Sequence, residues 1–124
     1  GSFAQVHFPA DSGLARAAIM EYVRQLPGVV EVLDQATAAR LLELPPGRMG
    51  DFVVCSGRDV VLGRTPAWHD LSPVQEGLRS HGGRYEEMVP FVLSAPLKPE
   101  YAAKAKGDPR NFDLFDFICN GTTA

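Results

Sequence analysis

An apolar stripe at helical spacing, Ala15, Ala18, Ile19, Tyr22, Val23 and Leu26, stops at Pro27-Gly28 and gives way at once to a β-branched run at residues 29–33. A helix delivered so abruptly into a strand points to a small layered α+β body. Residues 3–8 set Ala4, Val6 and Phe8 against Phe3, Gln5 and His7, the alternation of a strand with one buried side. Asp11 and Ser12 offer the first helix an N-cap. Asp34 or Thr37 can cap a second, shorter helix through Leu41, Leu42 and Leu44, which Pro45-Pro46-Gly47 ends. Residues 52–55 and 60–62 flank Ser56-Gly57-Arg58-Asp59 and predict a hairpin. The first half is therefore expected to be a β-α-β-α-β-β unit.

The second half follows a different pattern. Residues 63–83 carry little periodicity and many turn formers, a longer connection than most within a compact domain. Residues 89–95 read as an apolar strand. After a Pro- and Lys-rich loop, Asn111 can cap a terminal helix striped by Phe112, Phe115, Ile118 and Cys119. One strand and one helix bury too little to make a core, so this part is expected to lean on a neighbouring surface, whether the first unit or a second copy in a homodimer. The expected division is residues 1–66 and residues 67–124.

Composition narrows the function classes. With 124 residues, 45% of them hydrophobic and 22% charged, the chain has the make-up of a soluble globular protein. A formal charge of -3 with scattered Lys and Arg gives no electrostatic footprint for nucleic acid. No apolar run approaches the length of a membrane span. Cys55 and Cys119 lie far apart in apolar surroundings without a CxxC pairing, so they read as core residues of a reduced, cytoplasmic protein.

The stretch richest in chemistry is Ser80-His81-Gly82-Gly83-Arg84-Tyr85-Glu86-Glu87-Met88-Val89-Pro90-Phe91. An imidazole supplies a nitrogen ligand for a metal, and two glycines let a compact anion approach the backbone. Taken alone, a His in a Gly-rich loop is more often a solvated turn residue than a ligand.

The longer string resembles the phosphonoacetate hydrolases, in the branch of the alkaline phosphatase superfamily that includes nucleotide pyrophosphatase/phosphodiesterases. In that branch a late His-Gly-Gly, followed by an acidic residue and Val-Pro-Phe, carries the last zinc-ligand His. Leu44-Pro45-Pro46-Gly47-Arg48-Met49-Gly50-Asp51, His69-Asp70-Leu71, Leu78-Arg79-Ser80-His81-Gly82-Gly83 and Arg110-Asn111-Phe112-Asp113 are similar to the same family, as is the opening Gly-Ser-Phe-Ala. The resemblance runs over essentially the whole chain. It implies an α/β sandwich around a two-zinc centre, with a smaller cap inserted in the chain. Residues 1–66 would be a cap-like unit. The later strand and helix would return to the catalytic core. The implied reaction is hydrolysis of the carbon–phosphorus bond of phosphonoacetate, with two zinc ions holding the phosphonate oxygens and activating a nucleophile. His81 falls on a zinc-ligand position. The nucleophilic Thr and the other family ligands have no counterpart here, so the chain is expected to be a C-terminal fragment, inactive without the missing N-terminal core and unable to hold zinc tightly.

Other side chains carry two readings each. His69 sits in Trp68-His69-Asp70, where Asp70 could orient the ring, or where the ring packs beside Trp68. Glu86 could accept a bond from His81 and fix its tautomer, or simply lead into the next segment. Arg79 and Arg84 bracket His81 and could meet a phosphonate bidentately, or remain solvated. Two further functions stay open: a self-standing binding or association module, and a portion of a related phosphodiesterase or phosphatase.

Overall fold

The structure, a computed structural model, describes residues 1–74 and 80–123. The chain divides into two compact units, Gly1–Met88 and Val89–Ala124.

The first unit is built on a three-stranded antiparallel sheet of β1 (Phe3–Val6), β2 (Val29–Asp34) and β3 (Phe52–Ser56), ordered β1-β3-β2. Strands β1 and β2 both run antiparallel to β3, pairing Phe3 and Glu31 with Cys55, and Ala4 and Val32 with Val54. They are therefore parallel to each other with β3 between them, a split β-α-β arrangement. Helix α1 (Arg16–Arg24) joins β1 to β2, and α2 (Gln35–Leu41) leads from β2 towards β3.

Every residue of β3 is buried, because both faces of the central strand are covered. On one face Phe52 and Val54 join Val32, with Ile19, Met20 and Val23 of α1 and Phe8 packed against them. On the other, Val53 joins Ala38 of α2 and Met49, with Phe3, Leu33 and Leu42 around them. The face of α1 that packs is thus Ile19, Met20 and Val23, while Tyr22 from the expected stripe is 65% exposed.

Local signals were obeyed unevenly. Asp34 caps α2 as expected, its Oδ1 accepting the Thr37 N–H at 2.9 Å. Helix α1 starts instead at Ala15 with no side-chain cap, so Asp11 and Ser12 do not serve it. The expected strand at residues 60–62 does not form. Ser56 to Asp59 does turn the chain, with Asp59 at φ 62°, but Leu62 N–H then donates to Gly1 C=O at 2.8 Å. The reason is topological: β1 and β2 already occupy both edges of β3, so no edge remains for a hairpin partner.

The second unit also departs from expectation. Residues 89–95 form no strand, since Pro90 and Pro96 donate no backbone hydrogen bond and no partner strand lies beside them among the described residues. Among the described residues of this unit the sheet-like pairing is a single bridge, Leu97 to Thr122. The segment read as a Lys-rich loop contains helix α3 (Pro99–Lys104), with Pro99 favourably placed at its first position. Helix α4 (Asp113–Asp116) runs directly into a π-helical turn, Phe117–Gly121. Phe117 is fully buried, its ring meeting Phe91 at 5.0 Å and Tyr101 at 5.4 Å edge-on. Phe112 and Phe115 remain 61% and 75% exposed.

Asp116 ties these helices together by accepting from Lys104 Nζ at 2.7 Å, Asn120 Nδ2 at 2.9 Å and Tyr101 OH at 2.9 Å. Those bonds, the Lys104 one foremost, hold its carboxyl at about 2, below the ordinary 3.8. A carboxylate whose folded pKa is depressed contributes fully above the unfolded value and loses that contribution as pH falls through the folded one. The second unit should therefore loosen between pH 3.8 and about 2. Asp116→Asn should abolish most of this acid dependence, read from Tyr101 ring resonances across an acid titration. An unchanged acid profile in the variant would count against the role given to Asp116.

Candidate metal-ligand loop

The turn carrying His81 crosses one face of the sheet at its Phe3 end. Phe3, Cys55 and Glu31 form one row across β1, β3 and β2 in the observed register. The turn is held at both ends of that row. At β1, Ser2 N–H donates to the His81 carbonyl at 2.8 Å, and Ser2 itself is buried. Gly82 takes φ +80° and lies against Phe3 Cβ, and a Cβ on Gly83 would come within 2.6 Å of Ser2 Cβ. The two glycines are thus required by this close approach and by the left-handed backbone. At β2, the Arg84 guanidinium makes a two-pronged pair with Glu31, Nε to Oε2 at 2.9 Å and Nη2 to Oε1 at 3.2 Å.

Each expected site residue can now be placed. The His81 imidazole is exposed and lies beside Gly1, where a Cβ would meet its Cε1 at 2.9 Å. Its ring forms no side-chain hydrogen bond among the described residues. Glu86 Oε2 accepts the Gly83 N–H at 2.9 Å, so its carboxylate caps the short 3-10 turn Arg84–Glu86. Arg84 is engaged on all sides, Nη1 reaching Glu87 Oε1 at 2.9 Å, and Glu31 first and Glu87 second push its pKa upward. Arg58, in the turn after β3, lies 5.1 Å from the Tyr85 ring centroid and adds a cation–π contact to the same turn. Arg79 lies outside the described residues. His69 packs over Gly63 beside an open groove of about 310 Å³. The Ser72 side chain first, and the Ser72 N–H that Asp70 Oδ1 accepts at 2.9 Å second, lower the pKa of the Asp70 carboxyl.

Glu31 and Ser2 were not anticipated as parts of this site. A usable signal existed for Glu31: a carboxylate inside the apolar run Val29-Val30-Glu31-Val32-Leu33 requires a partner when half-buried. Nothing local names that partner, which lies 53 residues away. The buried Cys55 thiol below is pushed up by desolvation first and by Glu31 second, which makes it a poor nucleophile.

As a zinc donor the exposed His81 nitrogen fits one coordination position. Among the described residues no three His, Cys, Asp or Glu side chains converge, and a catalytic zinc site needs about three protein donors.

Two solved structures of phosphonoacetate hydrolase from Sinorhizobium meliloti 1021, one in complex with phosphonoformate and one with phosphonoacetate, superpose on this chain with a TM-score of 0.63. Identity is 37% over 94% of this chain. The chain resembles part of phosphonoacetate hydrolase. It spans 27% of the length of the two hydrolase structures it matches. No family model matches the sequence. No helix among the described residues is long and apolar enough to cross a membrane.

Proposed function

We propose that this chain is the C-terminal portion of a zinc-dependent phosphonoacetate hydrolase, with residues 1–66 belonging to its cap and residues 67–124 to its catalytic core. The observation that carries this reading is the 37% identity over 94% of the chain to a hydrolase crystallised with phosphonoacetate. In the whole enzyme, water would add oxygen to phosphorus and a proton to carbon, releasing acetate and phosphate from the small phosphonate. Zinc would supply Lewis-acid polarisation of the phosphonate oxygens. His81 would give one nitrogen to one of two zinc ions. Its exposure leaves the ring accessible, and its turn is held through the His81 carbonyl rather than through the ring. Arg79 and His69 remain candidates for contacts to substrate. Exposed Phe112, Phe115 and Ile118 would lie against the remaining part of the enzyme, or against a second copy.

The isolated chain should release no phosphate from phosphonoacetate even when zinc is added, because one donor does not make a catalytic centre. An intact hydrolase carrying this segment should release phosphate, and a chelator should stop it. Such a protein could be the S. meliloti enzyme with this chain in place of its matching portion. Chelator-sensitive turnover by the isolated chain would overturn the fragment reading, and a well-folded but inactive chimera would overturn the hydrolase reading.

A further inference from the structure

We propose that the Glu31–Arg84 pair is a positioning device for His81, fixing the direction of the imidazole by tying its turn across the sheet from β1 to β2. The proposal rests on the reading of His81 as a metal ligand and adds how that ligand is held.

The geometry supports a fixed rather than a flexible turn. At the β1 end the turn is held through its backbone, by Ser2 N–H on the His81 carbonyl and by the contact of Gly82 and Gly83 with Phe3 and Ser2. Those contacts alone leave a hinge about β1. The second attachment, three residues beyond His81, is the guanidinium fork on Glu31, and two parallel N–H···O bonds resist rotation where a single one does not. Between the two attachments Glu86 closes the turn onto Gly83. The two ends lie on opposite edge strands of the sheet, so β3 beneath them sets their separation. A ligand on a loop held this way keeps its direction in the absence of metal, which is what ordering residues around a metal site achieve. Arg84 is a positioning residue here. Its charge is met by Glu31 and Glu87 within the chain rather than by substrate.

The test compares Arg84→Gln, Glu31→Gln and the double variant in the isotope-labelled chain by NMR. Either single change should abolish the nuclear Overhauser contact between His81 Hε1 and the Gly1 α-protons and should speed exchange of the Gly83 amide by about tenfold. The double variant should do no more than either single one, the mark of one shared interaction. Amides of Val53 and Val54 report whether the unit stays folded. If His81 keeps its contact with Gly1 in Arg84→Gln, or if Val53 and Val54 lose protection to the same extent as Gly83, the positioning role is wrong. In an intact hydrolase carrying the segment, Arg84→Gln should lower zinc affinity by about 10–100-fold. Loss of zinc in His81→Ala but not in Arg84→Gln overturns the positioning role and leaves the ligand reading standing. Zinc retained in both variants overturns the ligand reading, while the NMR result still judges the tie.

Discussion

His81→Ala, introduced into an intact hydrolase carrying this segment, is expected to lose one bound zinc ion and to cut phosphate release by at least about a hundredfold. The structure makes this a clean substitution. The ring is exposed, and the turn is held by the His81 carbonyl, by Gly82 and Gly83, and by Arg84, none of which the change removes. A surface replacement free of packing or capping duties normally shifts stability by less than about 0.5 kcal/mol. Activity should therefore fall while the thermal midpoint of the metal-stripped protein stays where it was. Metal analysis, phosphate release and a melting curve on the same preparation check the three parts. Full metal content with a near-normal rate would remove His81 from the ligand set.

Phe52→Ala should have the largest effect on the fold. Phe52 is fully buried in the central strand, packs with Val32 and Val54, and meets the Phe8 ring at 5.7 Å. Removing a buried Phe side chain costs about 3–5 kcal/mol once the cavity is counted. The total stability of a small domain is only about 5–15 kcal/mol. The variant should sit at the edge of unfolding in water, with a urea midpoint far below that of the parent chain. Tyr22→Ala, at a 65% exposed position on α1, provides the comparison and should move the midpoint little. A loss below about 1 kcal/mol in Phe52→Ala would mean that the core does not close around this ring.

The sequence was informative where a structural demand was local. Pro27-Gly28 ended α1 close to where it stops, and Asp34 with Thr37 marked the start of α2, because a stop or a cap needs only its neighbours. It misled where a local pattern lacked a partner. Residues 60–62 have the composition of a strand, but strand formation requires a free edge, and β3 had none left. Residues 89–95 are apolar enough for a strand yet have two prolines nearby and nothing described to pair with. Helix α3 was hidden because Pro99 and the lysines in and around the helix resemble a loop, whereas Pro at a first helical position is favourable. At the candidate site, His81 and its glycines were legible as a string and drew the family resemblance with them. The partners that place the turn, Ser2 and Glu31, lie far off in sequence, and a long-range ion pair leaves no periodic trace.

The strand order has a consequence for how the first unit is assembled. The central strand is the last of the three to emerge during synthesis, and its two neighbours do not touch each other. Until β3 arrives, β1 and β2 have no ladder to join, and the apolar faces of α1 and α2 have no surface to close upon. Sheet formation is therefore a single late event built from non-local contacts, which implies slow folding for a unit of this size. It also implies that a ribosome-bound chain shorter than about the end of β3 displays unpaired strands, the state in which association with other chains competes with folding.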